Sequence, residues 1–402
     1  MAQGLRPRDE GELQAALAWA LAEGQPLALR GQGSKLGFGR PVAAGQVLDL
    51  SGLAGIVVYE PEELVLTAGP GTPLSEIEGL LSQHRQQLAF EPADYGAISG
   101  GPAGRQTLGG VIACNISGPR RVKAGAARDH LLGFKAVSGR AEAFKSGGRV
   151  VKNVTGYDLS KLMAGSHGTL AALSEVTLKV LPAPEATATV LLLGQDDRAA
   201  IAALAQAAGS PHEVSGLAHL PAAAAARSQA AQGRAMTAVR LEGPTPSVRH
   251  RADELVKLLA RQGATLLLDA QASFGFWQEV RDVQSLLPAD RQLWRLSLAP
   301  GAGPAVVAEL ARRLPALDYY YDWAGGLVWL ALPPTEDAWH PAVRGAVASA
   351  GHATLLRAEA GVRAAVPVFQ PQPPALAALS QRVKASFDPK GLLNPGRMHP
   401  GP

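Results

Sequence analysis

Apolar residues near the start of the chain recur with the period of a helix and then with that of a strand. In "DEGELQAALAWALAEG", Leu and Ala recur every three or four residues, which predicts a helix that stops at Gly24. The run "PLALR" predicts a short buried strand that leads into a glycine-rich loop. A second helix is predicted from about Pro73 to His84. The order is β-loop-α, but the connections are too irregular for a doubly wound sheet.

From Thr107 to Leu181, runs of Val, Ile and Leu alternate with glycine turns, which predicts antiparallel strands. The segment "VIACNISG" is interpreted as an apolar strand around Cys114. "EAFKSGGRVVKN" predicts a hairpin with its turn at Gly147–Gly148. "LAALSEVTLKVLP" alternates cleanly and stops at Pro182.

A second set of elements is predicted from about Ala183 onwards. The helices are "VRHRADELVKLLARQG", "PAVVAELARRL" and a short one around Pro374–Phe387, and "AAAAARSQAAQGRA" is interpreted as a helix plus a loop. The strands are "TAVRLEG", "ATLLLDA", "WRLSLAP" and the aromatic pair in "YYYDWAGGLVWLAL". Helices and strands in this order predict an α+β layer of helices on an antiparallel sheet.

Composition indicates an ordered globular protein. The 402 residues suffice for two or three domains of roughly 100–200 residues each, and 47% of them are hydrophobic. The net charge of +4 is small and no Lys/Arg block occurs, so we expect no nucleic-acid partner. No apolar run approaches the roughly 18–20 residues of a membrane span, and the N-terminus lacks a signal-peptide core. We therefore expect a cytoplasmic protein that meets a membrane only through partners.

The single cysteine and the scattered histidines limit the chemistry further. With Cys114 alone, the chain forms no intrachain disulfide, and it cannot by itself hold an iron–sulfur cluster, which needs about four thiolates. The nine histidines show no H-x-H or H-E-x-x-H pair, so no metal site is predicted.

The loop in "PLALRGQGSKLGFG" resembles a phosphate site without matching the two common ones. It is not G-x-x-x-x-G-K-[ST], and no helix is expected to begin on its glycines because Pro41 follows them. Small residues can still direct consecutive N–H groups at an anion. The candidates for such a nest are Gly31, Gln32, Gly33, Ser34 and Lys35. A plain glycine-rich connection is the alternative.

Further segments in the same order make the pattern specific. "RGQGSKLGFG", "TAGPGTPLSEIEGLL", "TLGGVIACNISGPRR" and "VKNVTGYDLSKLMAGSHGTLAALSEVTLKVLP" together resemble the FAD-binding domain of the vanillyl-alcohol oxidase/PCMH flavoproteins. With "DWAGGLVWL" and "FDPKGLLNPGRM", the chain is similar to the FAD-binding subunits of bacterial glycolate oxidases, the GlcE type. The resemblance spans essentially the whole chain.

The resemblance implies the architecture. We expect an α+β protein with a PCMH-type FAD-binding domain of two α/β subdomains and a smaller cap-like α+β domain with an antiparallel sheet. The expected boundaries are 1–182 for the FAD domain, 183–358 for the cap, and 359–402 for a segment that returns to the FAD domain.

The resemblance also implies the FAD contacts. The pyrophosphate would be held by the loop, and backbone at the Gly-Gly pair would close on the cofactor. The implied FAD-binding residues are Gly31, Gln32, Gly33, Ser34, Leu36, Gly37, Pro70, Thr107, Gly109, Gly110, Asn115, Ser117, Gly118, Arg128, Asp129, Asn153, Tyr157, Asp158, Lys161 and Val176.

Several of these residues have ordinary structural alternatives. Lys161 would stabilise an anionic reduced flavin or lie on a solvated helix face. Tyr157 would stack on a ring or, as we favour, fill the core, and Asp158 would cap the helix "LSKLMAG". Gln32 stands where many relatives carry a flavin-linking histidine, and Cys114 is interpreted as a buried inert thiol. We therefore expect FAD to be bound non-covalently.

Oxidation of a 2-hydroxy acid needs a cation for the carboxylate and a base for the hydroxyl proton. The His-x-Gly-Asp-Gly-Asn-like motif of relatives that do this is not present, so the catalytic residues stay unknown, with His167, Arg295 and Arg357 as candidates.

The expected function is the FAD-carrying subunit of a glycolate (2-hydroxy-acid) oxidase complex. Its partners would be a second flavoprotein subunit and an iron–sulfur subunit, and the complex would act on a small 2-hydroxy acid, at the inner face of the membrane if a partner binds there. Two alternatives stay open: a self-sufficient FAD-dependent dehydrogenase, such as a D-lactate dehydrogenase, and a structural FAD subunit without redox turnover.

Overall fold

The strands of the described residues form two large antiparallel sheets and two small two-stranded ones. The structure is a computed structural model and describes residues 5–149, 156–287 and 290–401. The elements up to Pro182 and those from Ala186 onwards contribute to different large sheets.

The first large sheet has five strands. In spatial order they are Ile56–Glu60, Val65–Ala68, Ala171–Lys179, Leu131–Ser138 and Ala143–Gly147. Two small sheets accompany it, a parallel pair formed by Leu27–Arg30 with Gln46–Asp49 and an antiparallel pair formed by Gln86–Gln87 with Leu181–Pro182. The helices of this region are Glu10–Glu23, Leu74–Gln83, Tyr95–Ile98, Leu108–Ala113, Arg121–Ala124, Ala127–His130 and Leu159–Met163, with a 3₁₀ turn at Leu50–Gly52.

The second large sheet has eight strands. In spatial order they are Thr265–Leu268, Ala186–Leu193, Met236–Gly243, Gly216–Leu220, Asp318–Asp322, Leu327–Leu332, Gln292–Leu298 and Gly351–Arg357. The helices of this region are Asp197–Ala208, Ala222–Ala225, Thr245–Leu259, Ala270–Arg281, Gly303–Arg313, His340–Val347 and Ala360–Ala365. The last helix, Pro374–Phe387, packs against the five-stranded sheet instead, where Phe387 contacts Phe144. Short 3₁₀ turns lie at Gln284–Leu286, Pro300–Ala302, Trp323–Gly325 and Ala348–Ala350.

The eight-stranded sheet is buried on both faces. On one face, strand residues such as Val190 and Leu330 pack with helix residues such as Leu204, Leu255 and Leu310. On the other face, residues such as Leu191, Ala238 and Trp329 belong to the apolar cluster that also contains the core of the five-stranded sheet. Because apolar burial is continuous across this junction, residues from the two regions are brought together there.

The end of the chain returns to the first small sheet. Leu27 N–H donates to Leu392 O at 2.7 Å, and Asn394 N–H donates to Leu27 O at 3.0 Å. The Asn394 side-chain oxygen also accepts from Leu29 N–H at 2.8 Å. The segment after Gly391 therefore lies beside the strand that leads into the glycine-rich loop.

Several sequence predictions are confirmed at the level of single elements. The first helix begins after Asp9, whose carboxylate accepts from Glu12 N–H, and it ends at Gly24 in the left-handed conformation, with φ of 60°. The helix at Pro374–Phe387 and the turn between the two aromatic strands also form as predicted.

One prediction about the segment after Thr107 is wrong. Residues Leu108–Ala113 form a helix rather than a strand, and the side chains of its Val111 and Ile112 are fully buried. Tertiary burial, and not the local run of apolar residues, decides this conformation. The first half of the predicted hairpin forms strand Ala143–Gly147, which pairs with the preceding strand Leu131–Ser138, while most of the second half lies outside the described residues.

Candidate functional site

A cleft opens at the carboxyl end of strand Leu27–Arg30, bounded by the loop that follows it and by helix Leu108–Ala113. It contains about 770 Å³ of empty space, counted to its open mouth. The predicted FAD-binding residues that line it are Gly31, Gln32, Gly33, Ser34, Leu36, Pro70, Thr107, Gly109 and Gly110. His167 and Gly168 of the fourth predicted segment line it as well, so the structure brings all four segments together around one space.

The loop presents unpaired backbone donors. Within the part of the chain that the structure describes, no acceptor is bonded to the backbone N–H groups from Gln32 to Lys35. Gly33 has φ of 77°, in the left-handed region that turns successive N–H groups toward one side. Buried or half-buried N–H groups are rarely left without an acceptor, so this loop is suited to an anion.

Lys35 places a positive charge in the same loop. Its side chain is buried, and among the described residues its Nζ hydrogen-bonds only to Ser34 Oγ, at 3.2 Å. Burial lowers the pKa of Lys35 from 10.5 to about 8, because the charged form loses solvation. A negative group in the cleft would restore the favourable environment of the ammonium.

Two arginines from the C-terminal part of the chain donate hydrogen bonds to backbone carbonyls in and just after the loop. Arg397 donates to Lys35 O at 2.5 Å, and Arg363 donates to Gly39 O at 2.6 Å. Burial lowers the pKa of both guanidiniums, and neither forms an ion pair within the described ranges. Arg397 lies in the motif "NPGRM", which indicates the family but no particular site residue, and no sequence motif points to Arg363.

Glycines allow the loop and the helix to approach each other. A Cβ on Gly31 would collide with the Thr107 side chain, and a Cβ on Gly109 would lie 2.6 Å from Pro70 Cβ. A Cβ on Gly110 would lie 3.3 Å from Lys35 Nζ. These positions need glycine because the walls of the cleft are themselves in contact.

Cys114 and His167 also line the cleft. Cys114 Sγ lies 3.6 Å from His167 Nδ1, and burial raises the pKa of the thiol. Burial lowers the pKa of His167 to about 3, so its ring is neutral, and it packs edge-on against Phe38 and Phe369. Cys114 follows a helix rather than lying in the expected strand, and it lines the cleft while packing against the apolar core.

A second group of predicted FAD-binding residues lies outside the cleft lining, and these residues hydrogen-bond to one another and to their neighbours. Asn115 Oδ1 accepts from Arg128 N–H at 3.0 Å, and Ser117 Oγ accepts from Ala127 N–H at 3.0 Å. Lys161 Nζ donates to Arg128 O at 2.6 Å. These contacts join the turn after helix Leu108–Ala113 to the short helix Leu159–Met163.

Other residues of this group have local partners. The Asp129 carboxylate accepts from Ala126 N–H at 2.9 Å, and Gly118 N–H donates to Phe90 O at 2.9 Å. Asp158 caps its helix, because its carboxylate accepts from Lys161 N–H at 3.2 Å.

The remaining predicted residues are dispersed. Gly37 packs against the backbone at Ser99, and Val176 is fully buried in the five-stranded sheet. Tyr157 is 94% exposed, so our preference for a core position is wrong. Asn153 lies outside the described residues.

The two candidate arginines of the eight-stranded sheet differ in surroundings. Arg357 Nε donates to Arg291 O at 2.9 Å. The Arg295 guanidinium lies over the Trp323 ring, 5.1 Å from its centroid. Neither lines the cleft.

Within the described residues, no group of three or more His, Cys, Asp or Glu side chains is arranged to hold a metal ion. In the same residues, every helix is too short or too polar to cross a bilayer.

Comparisons with known proteins place this geometry in a family. A family model described as an FAD binding domain matches residues 2–147. Glycolate oxidase subunit GlcE of Escherichia coli (strain K12) is 36% identical over 381 residues, which is 94% of this chain and 94% of that protein. Glycolate oxidase subunit GlcD of Bacillus subtilis (strain 168) is 32% identical over 198 residues, 49% of this chain and 40% of that protein.

Solved structures agree on the fold. A structure of p-cresol methylhydroxylase with substrate bound has a TM-score of 0.71 at 14% identity and covers 98% of this chain and 88% of that chain. The α+β fold with antiparallel sheets and a PCMH-type FAD-binding domain is thereby confirmed. The chain therefore belongs to the GlcE-type glycolate oxidase subunits, a family of FAD-dependent oxidoreductases.

Proposed function

We propose that this chain is the FAD-carrying subunit of a glycolate, or more generally 2-hydroxy-acid, oxidase complex and that it relays electrons to an iron–sulfur partner subunit. The observation that carries the proposal is the row of unpaired N–H groups from Gln32 to Lys35 beside the buried Lys35 ammonium. This donor set matches the pyrophosphate of a flavin dinucleotide, since oriented backbone dipoles and one cation compensate its charge.

Each wall of the cleft has a role in this proposal. Loop 31–35 and Lys35 bind the pyrophosphate, while Arg363 and Arg397 fix the loop backbone in the required shape. The glycines of helix Leu108–Ala113 keep the cleft wall flat for a planar group. FAD, when bound, supplies the redox chemistry, because its ring accepts and releases electrons.

The attachment of FAD is non-covalent in this proposal. Gln32 carries an amide where a flavin-linking histidine would be, and His167 is enclosed by Phe38 and Phe369. The raised pKa of Cys114 keeps it a thiol, which is a poorer nucleophile than a thiolate.

The partners follow from the chemistry of the chain. A single cysteine cannot supply the thiolates of an iron–sulfur cluster, so a one-electron relay needs a second subunit. A second flavoprotein subunit would complete the complex and would account for any contact with the inner face of a membrane. In this arrangement residues 1–182 with 359–402 form the FAD unit, and 183–358 form the cap.

The first experiment is spectroscopic. The purified full chain, incubated with FAD and desalted, should show a flavin absorption band, and acid precipitation should release that flavin into the supernatant. A colourless protein would contradict FAD binding, and a flavin that stays in the pellet would contradict non-covalent attachment.

The second experiment separates the proposed relay from its alternatives. In the assembled complex, stopped-flow mixing with glycolate should reduce the FAD of this subunit and then the iron–sulfur centre. Turnover of glycolate or D-lactate by the isolated chain with an artificial acceptor would favour a self-sufficient dehydrogenase. A flavin that is never reduced in the complex would make the subunit structural.

A further inference from the structure

Two arginines meet at one tryptophan where the two large sheets adjoin. Arg121 comes from the short helix that follows Gly118, and Arg295 comes from strand Gln292–Leu298 of the eight-stranded sheet. Their guanidinium carbons lie 4.7 Å and 5.1 Å from the centroid of the Trp323 ring. The site is therefore built from three segments that are far apart in the chain.

Neither arginine has a negative partner. Within the described residues, no carboxylate oxygen lies within 4.0 Å of either guanidinium, and neither side chain donates a hydrogen bond. Asp129 and Asp322 are the nearby acids, but Asp129 accepts from Ala126 N–H and Asp322 from Trp323 N–H. Two half-buried like charges without a counterion destabilise each other, which an anion would relieve.

Trp323 is held by a hydrogen bond and has an unfavourable backbone conformation. Its Nε1 donates to Gly118 O at 3.1 Å, which links the eight-stranded sheet to the other region. Trp323 and Ala324 have φ of 51° and 55°, a left-handed conformation that is unfavourable for residues with a Cβ. Strain of this kind persists where surrounding contacts determine the geometry, and it is frequent at binding sites.

Tyr95 is a buried phenol whose electrostatic surroundings include both arginines. It is only 5% exposed, and its hydroxyl has no hydrogen-bond partner among the described residues. Burial raises its pKa, while Arg295 and Arg121 act in the opposite direction and Cys114 adds to the rise. Its ring packs edge-on against Phe38, which also packs against His167 of the cleft lining.

We propose that Arg121 and Arg295 bind the carboxylate of a small 2-hydroxy acid or of its 2-oxo product. The inference rests on the proposed function and adds a substrate site within this subunit. Two guanidiniums, neither of them paired with a carboxylate of the described chain, match one carboxylate, since charged donors are then available to both of its oxygens.

The test measures binding without turnover. Oxamate, which has a carboxylate and an adjacent carbonyl but no oxidisable C–H bond, is titrated by calorimetry into the FAD-reconstituted full chain. Arg121→Gln and Arg295→Gln should each weaken binding at least tenfold, because each removes a charged donor. Arg295→Lys, which keeps the charge but not the fork of donors, should lie between the wild type and Arg295→Gln.

The matched control is Lys123→Gln, which removes one positive charge two residues from Arg121, at an exposed side chain paired with Glu213. It should change oxamate affinity by less than twofold. No oxamate binding to the wild type, unchanged binding in both Gln variants, or an equal loss in Lys123→Gln would each overturn the proposal.

Two further readouts separate this inference from the proposed function. The flavin content and the thermal midpoint of each variant are measured alongside. If a Gln variant fails to fold, Arg295→Lys still tests the role of Arg295. If the chain binds oxamate through these arginines but retains no FAD, the proposed function fails and the anion site stands. If FAD is retained and the arginine substitutions leave oxamate affinity unchanged, the proposed anion site fails and the proposed function stands.

Discussion

The junction between the two large sheets contains two arginine pairs with opposite electrostatic settings. Arg120 and Arg240 are matched by Glu91 and Glu242, with N···O distances of 3.2 Å and 2.7 Å for Arg120 and 3.0 Å and 3.8 Å for Arg240. Arg121, the next residue, shares Trp323 with Arg295, and neither has a carboxylate partner within the described ranges.

The matched pair has the signature of a structural network. Burial alone would raise the pKa of Glu242, but the guanidiniums of Arg240 and Arg120 outweigh it and hold that pKa at about 2. Arg240 is 1% exposed, so its charge is compensated entirely within the protein. The unmatched pair is half-buried and lacks such compensation within the described residues, and in our proposal a bound anion supplies it. Adjacent arginines would then serve stability in one case and binding in the other.

The largest effect is expected from breaking the matched pair. Arg240→Ala leaves Glu91 buried with one guanidinium fewer, and we expect a loss of about 3–5 kcal/mol in the free energy of unfolding. A urea titration followed by tryptophan fluorescence measures it. The exposed Arg198→Ala serves as the control and should stay within about 0.5 kcal/mol. A loss below about 1 kcal/mol for Arg240→Ala would show that the network contributes little.

Another cation without a carboxylate partner among the described residues, Lys35 in the cleft, should control cofactor affinity. Lys35→Gln removes the buried charge next to the unpaired N–H groups, and we expect FAD to bind roughly 10–100-fold more weakly, the equivalent of about 1.5–3 kcal/mol for a charged hydrogen bond. Quenching of flavin fluorescence measures the affinity. Lys145→Gln, at an exposed lysine of the five-stranded sheet, should leave it unchanged, and equal losses in both variants would mean that only net charge matters.

The same lysine predicts a pH dependence. Because burial lowers the pKa of Lys35 to about 8, the empty cleft loses its ammonium above that pH, and FAD must then bind together with a proton. FAD affinity should be constant below about pH 7 and fall by up to about tenfold per pH unit above pH 8. In Lys35→Gln the profile should be flat over this range. A wild-type profile without this fall would place the pyrophosphate away from Lys35.

A smaller effect is expected at the cap of the short helix Leu159–Met163. Asp158→Ala removes the acceptor for Lys161 N–H, which should cost about 0.5–1 kcal/mol of stability. Thermal unfolding measures this loss, and Asp158→Asn, which keeps a capping oxygen, should restore most of it. A large fall in FAD affinity without a change in stability would instead support the cofactor contact that the resemblance implies.

The smallest effect is expected from the unmatched pair. Arg295→Gln removes one of two mutually repelling charges and no ion pair, so the free energy of unfolding should change by less than about 0.5 kcal/mol or rise slightly. Urea titration beside Arg240→Ala compares the two pairs directly. A loss of stability as large as that of Arg240→Ala would mean that Arg295 has a structural role and that the two arginine pairs do not differ in this respect.

The sequence alone was sufficient wherever local chemistry decides the conformation. It predicted the helix between Asp9 and Gly24, because a capping carboxylate and a left-handed glycine define its ends. It also predicted that small residues at Gly31–Lys35 would leave backbone N–H groups available to an anion, and in the described residues the N–H groups from Gln32 to Lys35 have no acceptor. The segment motifs were enough to indicate the family.

Only the tertiary structure decided which distant residues meet. Arg363 and Arg397 reach the loop from more than three hundred residues further along the chain, and Arg121 meets Arg295 at Trp323 through the packing of two sheets. Burial of Val111 and Ile112 made a helix of a segment whose apolar run indicated a strand. Such contacts depend on long-range packing and burial, which no local spacing of residues encodes.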